Sequence, residues 1–235
     1  MRFITTCSRE GFESYGHRLV ESFHMAPEGA TLTVYTEGFD IPDTPRVYQV
    51  PLDHISELTL FKRRHEDYRP PSWQWDVAKY ANKVFAMWHG GLMINSGLVC
   101  WTDADCVFHQ PMPSDLLRRM IGDAYLAYYG RPGLYTETGF WFVRADHHAH
   151  MTFLSSLVEI YESGKFTKLP QWHDCYVFDA VRRRMERDGM ITSVNLSGDA
   201  AGTMHPMAVT EIGKYLDHRK GPRKTMDLSP ENPAA

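Results

Sequence analysis

Apolar and polar positions along this chain switch between two periods, and the switches mark its elements. Residues 2–6 read as a short buried strand, and Tyr15, Leu19, Val20 and Phe23 then fall at helical spacing across 12–25. The opening therefore predicts a strand that feeds a helix. Two more β-rich runs, 31–35 and 46–50, are separated by Gly38, Pro42 and Pro45, which punctuate a loop. Val77, Tyr80, Ala81, Val84, Phe85 and Trp88 stripe a helix preceded by Asp76, with Gly90-Gly91 as its expected stop. After Gly97, residues 98–102 are apolar without alternation, the pattern of a strand covered on both faces, and the run ends at Asp103-Ala104-Asp105.

Further on, 124–129 and 140–143 read as strands, and Phe153, Leu154, Leu157, Val158 and Tyr161 stripe a helix closed by Gly164. A last helix is expected at 174–187. From about Asn195 the chain has no periodicity, which predicts an ordered wrap-around segment and then a loose tail at 227–235. Strands alternating with helices predict an α/β fold with a central mixed, mainly parallel sheet flanked by helices.

The chain has 235 residues, enough for one substantial core, and 43% hydrophobic with 23% charged residues is globular composition. A net charge of -4 leaves no overall basic footprint for nucleic acid, so any such contact must be local. Cys7, Cys100, Cys106 and Cys175 form no C-x-x-C pair, which favours a reducing, cytoplasmic setting. No run of eighteen apolar residues and no signal-like start is present, so no membrane partner is expected. Oligomeric state is not legible.

Two constellations carry candidate chemistry. Asp103-x-Asp105 stands at the carboxyl end of the buried strand, where open α/β sheets bind ligands and where carboxylates hold a divalent cation against phosphates. With 16 aspartates in the chain such a pair arises about once by chance, so its position is what gives it weight; the bland alternative is a solvated turn. In His218-x-x-Gly221-x-x-Lys224, an imidazole suits a metal, a glycine permits close backbone approach and an ammonium neutralises a phosphate. Only about 0.03 such matches are expected from the residue frequencies. Its alternative is a solvated basic turn.

With Asn82-Lys83-Val84-Phe85-Ala86-Met87-Trp88 and Val99 to Asp105, these motifs resemble metal-dependent GT-A glycosyltransferases, in particular the glycogenin-like group of retaining enzymes. The compactness and the Trp-His-Asp and His-Arg-Lys-Gly-Pro-Arg-Lys segments also resemble glycosyltransferase-like proteins of bacteriophages. The resemblance implies a Rossmann-like single domain over 1–226, with a nucleotide-binding half near 1–110 and an acceptor half near 111–226. It implies Asp103, Asp105 and His218 as metal ligands. For the nucleotide sugar it implies Thr5, Thr6, Lys83, Asp103, Ala104, Gly221 and Lys224, the two threonines by position only. A nitrogen ligand among oxygens tilts selection to Mn²⁺, with Mg²⁺ as the alternative.

Two blocks depart from that pattern: Glu137-Thr138-Gly139 stands where the family tends to have Asn-Ala-Gly, and Gln171-Trp172-His173-Asp174 where it has Asp-Gln-Asp. Glu137, His173 and Asp174 are the candidates to orient the acceptor and donor hydroxyls; a helix cap is the alternative for Asp174, and a half-buried polar residue for His173. His147, His148 and His150 read as an exposed first helical turn rather than a metal site, and Arg182-Arg183-Arg184 as a solvated face. Trp73 and Trp75 cover a helix end or stack on a ligand. The expected partners are a nucleoside diphosphate sugar, UDP-linked by preference, and an acceptor hydroxyl. The phage-like character points to a hydroxymethylated pyrimidine in DNA, approached by Arg182 to Arg184, Arg219, Lys220, Arg223 and Trp73. The other classes considered are a nucleotidyltransferase, which would need a Gly-rich loop where only Gly11 and Gly16 occur, and a nucleotide-sugar binding protein without turnover.

Overall fold

A computed structural model describes residues 1–198 and 205–225. Its main sheet is built from β1 (Arg2–Ser8), β2 (Thr31–Glu37), β3 (Val47–Pro51), β4 (Leu98–Thr102), β6 (Leu126–Tyr129), β7 (Glu137–Arg144) and β8 (Ser193–Asn195), in the order β3-β2-β1-β4-β7-β6-β8. A two-stranded ribbon pairs β5 (Cys106–Phe108) with β9 (Leu216–His218). Strands β3, β2, β1 and β4 are mutually parallel; β7 runs antiparallel to both β4 and β6, and β8 is parallel to β6. The sheet is thus mixed and mainly parallel, as the sequence pattern predicts.

Helical segments cover both faces. A helical run follows β1 directly: α1 (Arg9–Gly11), a π turn (Phe12–Gly16), α2 (His17–Ser22) and a 3₁₀ turn (Phe23–Met25). The remaining helices are α3 (Ser56–Arg64), α4 (Val77–Leu92), α5 (Leu116–Ile121), α6 (His150–Glu162) and α7 (Asp174–Arg187). Side chains alternate across a strand, so β1 sends Ile4 into one core and Phe3 into the other. Ile4, Val99 and Trp101 pack with Phe61 of α3, Phe85 of α4, Phe153 of α6 and Phe178 of α7. Phe3, Cys100 and Phe142 pack with Leu19 of α2, Leu117 of α5 and Leu216 of β9. Burial of β4 on both faces fits its unbroken apolar run. No helix of the described residues is long and apolar enough to cross a membrane.

Several elements differ from the sequence reading. Gly90-Gly91 does not stop α4, which continues to Leu92. A Cβ on Gly90 would lie 2.7 Å from Ile4 Cδ1 and one on Gly91 2.5 Å from Leu154 Cδ1, so these glycines let the helix press onto β1 and α6. β7 begins at Glu137, three residues before the apolar run. His147 and His148 precede α6, whereas His150 is buried with its Nε2 against the Gly91 carbonyl at 3.1 Å. Arg182 is not solvated: it is buried between Asp179 (2.9 Å) and Glu186 (2.7 Å), over the Tyr128 ring. The helix α3, the short α5 and the three-residue strands β5, β8 and β9 have too few turns or alternations to leave a periodic signal. The tail expected at 227–235 lies outside the described residues.

Candidate functional site

The site forms at the carboxyl edge of the sheet, where β1 and β4 end. Asp103 follows β4 and its N–H donates to the Gly139 carbonyl at 2.7 Å, while Cys106 N–H donates back to the Asp103 carbonyl at 3.0 Å. This turn aims Asp103 and Asp105 to the same edge. The β5–β9 ribbon pairs Cys106 with His218, and Arg219 N–H donates to the Asp105 carbonyl at 3.0 Å. Residues remote in sequence are thereby joined: His218 Nε2 lies 3.0 Å from Asp105 Oδ1 and 3.7 Å from Asp103 Oδ2.

A glycine makes this approach possible. His218 lies flat against Gly139, where an added Cβ would stand 2.0 Å from Cε1 and 2.3 Å from Nδ1. Behind the ring, Glu137 Oε1 is 3.8 Å from Nδ1 and accepts the Gly139 N–H at 3.0 Å. Lys220 pairs with the other carboxylate oxygen, and Arg131 approaches it at 3.3 Å. Burial would raise the Glu137 carboxyl, but the charges of His218, Lys220 and Arg131 outweigh it and hold it down to about 2. Glu137 is therefore an ionised brace for the imidazole and does not line the cleft, contrary to its expected place among the acceptor hydroxyls.

Two ammonium groups complete the electrostatics. Lys224 Nζ is 2.8 Å from Asp105 Oδ2 and stacks over Tyr15; the left-handed Gly221 (φ +55°) opens the 3₁₀ turn Gly221–Lys224 that brings it there. Burial would raise the Asp105 carboxyl, yet His218 and Lys224 hold it well below the usual range. Burial likewise works against the His218 and Lys224 cations, but Asp105 raises both. On the other side Lys83 Nζ bridges Asp103 (2.9 Å) and Asp174 (2.7 Å) and donates to the Thr138 carbonyl at 2.7 Å. Burial opposes the Lys83 charge, but the two carboxylates drive its pKa up, and Lys83 in turn keeps Asp174 ionised against burial.

Asp105 Oδ1 is buried and faces His218 Nε2 at 3.0 Å, the two groups forming an ion pair. Two carboxylates and an imidazole thus meet at this edge, a donor set that would suit a hard or borderline divalent cation once its binding displaces the imidazole proton. Cys106 lies beside it, but burial raises its thiol far above neutrality and keeps it protonated. The adjacent trio His173, Asp174 and Cys175 is less suited: His173 Nδ1 caps the Tyr176 N–H at 3.3 Å, Asp174 is engaged by Lys83 and Thr138, and burial pushes Cys175 up to about 12.

The cleft is walled by Thr6, Cys7, Ser8, Tyr15 and Glu37 at one end and by Lys83, Trp101, Asp103, Asp105, Asp174 and Lys224 at the other. Of the residues singled out from sequence, Thr6, Lys83, Asp103, Ala104, Asp105, Asp174 and Lys224 line it; His218 sits directly beneath. Thr5 points into the core instead, because neighbouring strand residues face opposite ways. His173 is the buried N-cap of α7, its imidazole committed to helix capping and to Gln171 Oε1 at 2.7 Å, and Gly221 serves the turn rather than the wall. The basic patch expected for DNA is largely consumed within the protein: Arg182 pairs with Asp179 and Glu186, Lys220 with Glu137 and Arg223 with Asp217. Sequence reasoning missed Trp101, whose Nε1 donates to Asp103 Oδ1 at 2.7 Å, and Gly139, Thr138, Asn82 and Glu37. The helical stripe that carried Tyr15 gave no sign that its ring would face the cleft.

No protein-family model matches the sequence, and no curated protein matches it. Among solved structures, mouse xyloside xylosyltransferase 1 in its apo form superposes with a TM-score of 0.53 over 83% of this chain and 85% of its own, at 8% identity. The glycosyltransferase GlyE of Streptococcus pneumoniae superposes with a TM-score of 0.52 over 94% of this chain at 12% identity, and the chain spans 55% of that protein. The strand order and these superpositions agree. The chain has the fold of the GT-A glycosyltransferases. At such identities the likeness is one of fold, and within this GT-A frame the chemistry must be argued from the side chains.

Proposed function

We propose that this protein transfers a glycosyl group from a nucleoside diphosphate sugar to an acceptor hydroxyl, with Asp103, Asp105 and His218 holding a divalent cation, Mn²⁺ in preference to Mg²⁺. The observation that carries this reading is the meeting of Asp105, His218 and Lys224 at the carboxyl end of β4, an acid from mid-chain with two groups more than a hundred residues further on. When bound, the cation offsets charge growing on the departing diphosphate. Lys224 is placed to exchange its contact with Asp105 for a phosphate oxygen, and Lys83 carries a second positive charge into the same cleft. Departure then needs no general acid.

Transfer with retention fits the bases at hand. Asp174 is the carboxylate at the sugar end, but Lys83 holds it ionised below the usual range, and burial lowers the His173 imidazole while capping occupies it. Both are poor at drawing a proton from an acceptor, and each suits orientation of sugar hydroxyls better. We retain the division into a donor half near 1–110 and an acceptor half near 111–226, with Asp174, His218 and Lys224 reaching back from the second. A modified DNA base as acceptor loses its support with the patch described above; the acceptor is a hydroxyl of unassigned class. The nucleotidyltransferase alternative is disfavoured because Gly11 and Gly16 serve packing, not a phosphate loop: a Cβ would meet Tyr15 Oη at 2.8 Å and Cys7 Sγ at 2.9 Å.

The test is thermal unfolding with UDP, other nucleoside diphosphates and UDP-sugars, each with and without Mn²⁺, followed by donor hydrolysis. Stabilisation that needs both metal and nucleotide, with slow release of free sugar, is expected. Asp105→Ala and His218→Ala should lose both signals. Nucleotide-independent behaviour, or full turnover by either variant, would remove the reading; stabilisation with no turnover on any donor would leave a binding protein.

A further inference from the structure

The two carboxylate oxygens of Asp103 keep different company. Oδ1 accepts the Trp101 indole N–H at 2.7 Å and the Lys83 ammonium at 2.9 Å. A carboxylate oxygen offers about two lone-pair sites, so these two donors fill it. Oδ2 faces the other way, with His218 Nε2 at 3.7 Å. One oxygen is committed within the protein and the other is left toward Asp105 and His218.

The indole is a rigid clamp on this arrangement. Trp101 and Asp103 are two residues apart along an extended stretch of chain, so alternation puts them on one face. Trp101 is 1% exposed, and its strand neighbours are Ile4 on β1 and Trp141 on β7, with which it shares a core. Lys83 Nζ also lies over the Trp101 ring, 5.0 Å from its centre, so one side chain holds both the carboxylate and the cation bonded to it. Burial alone does not demand this bond: in the same core the Trp141 indole N–H has no acceptor.

How many oxygens Asp103 can offer bears on which ion fits. Ca²⁺ takes about six to eight oxygen ligands and readily chelates with both oxygens of a carboxylate, whereas Mn²⁺ and Mg²⁺ prefer octahedral sets of about six. We propose that Trp101 is a positioning residue whose indole N–H restricts Asp103 to a single ligand oxygen, so that the site favours Mn²⁺ over Ca²⁺. The inference rests on the metal-site reading above. Trp101 acts here through Asp103 and takes no part in the transfer itself.

The experiment removes the indole N–H in two ways. Trp101→Phe does so with some loss of packing; replacing Trp101 by 3-benzothienylalanine keeps the bicyclic shape and exchanges the N–H for sulfur. Trp141→Phe is the control for a core tryptophan without a bonded N–H. Mn²⁺ binding is titrated by electron paramagnetic resonance, and Ca²⁺ binding by its competition with bound Mn²⁺, on the protein alone and with UDP. Both Trp101 replacements should weaken Mn²⁺ about 10- to 100-fold and Ca²⁺ much less, so that the ratio of the two affinities falls at least about tenfold. The ratio in Trp141→Phe should stay at the wild-type value. Unchanged Mn²⁺ affinity in the benzothienyl protein would overturn the positioning role, and equal loss of both ions would overturn the selectivity. A fall of the ratio in Trp141→Phe as large as in Trp101→Phe would reduce Trp101 to core packing and overturn the proposal as well. Should wild type hold no Mn²⁺ even with UDP, the metal-site reading itself fails and takes this inference with it.

Discussion

Gly139→Ala is the sharpest perturbation this structure offers, because one methyl group tests the whole His218 arrangement. The new Cβ would lie 2.0 Å from His218 Cε1, where ordinary contact begins at 3.4 Å, so the ring must shift by roughly 1.4 Å. It has little room to do so: His218 is 6% exposed, with Asp105 Oδ1 at 3.0 Å on one side and Glu137 Oε1 at 3.8 Å on the other. Metal ligands tolerate errors of about 0.2 Å, so a shift of this size should cost about 10- to 100-fold in Mn²⁺ affinity. Overpacking should destabilise by about 1–3 kcal/mol, partly offset by about 0.5–1 kcal/mol gained from removing a strand glycine. The assays are Mn²⁺ titration by electron paramagnetic resonance and urea unfolding, on Gly139→Ala, His218→Ala and the double variant. With the imidazole gone the methyl has space, so Gly139→Ala should be neutral or stabilising in the His218→Ala background. Additive stability effects, or wild-type Mn²⁺ affinity in Gly139→Ala, would refute the packing argument.

Two other outcomes follow from the buried charges. Lys83→Met removes the ammonium that bridges Asp103 and the buried Asp174, and should cost about 3–5 kcal/mol at pH 7 in urea unfolding. Burial then outweighs the Thr138 hydrogen bond that remains on Asp174 and lifts its folded pKa above the unfolded one, so the loss should shrink as pH falls toward 5; a pH-independent loss below about 1 kcal/mol would contradict the assignment. Burial also lowers the His150 imidazole, so the unfolded chain binds its proton first: His150 contributes full stability above its ordinary pKa of 6.5 and loses it as pH falls below that value. The unfolding free energy of His150→Gln should therefore fall less than that of wild type between pH 7.5 and 5.5, by at most about 1.4 kcal/mol per pH unit; parallel profiles would show that His150 titrates normally.

Much of the frame is legible in the residue pattern. The doubly covered run Leu98–Thr102, the Asp76 cap of α4 and the helix Asp174–Arg187 all stand where periodicity places them. The pair Asp103 and Asp105 is also local, since a strand that ends in two acids presents them at the sheet edge whatever surrounds it. Short elements fared worse: β5 and β9 are three residues each, yet they are what brings His218 to Asp105.

Local order determined the α/β layering, the edge that carries the acids and the rarity of the His-x-x-Gly-x-x-Lys spacing, because periods and caps are properties of neighbouring residues. Only the folded chain decided that Glu137 braces an imidazole, that His173 caps a helix, that Gly139 yields its side-chain space to His218 and that Arg182 is buried. Those roles depend on which distant groups share a low-dielectric volume and compete for the same charge and space. A one-dimensional pattern does not contain that information.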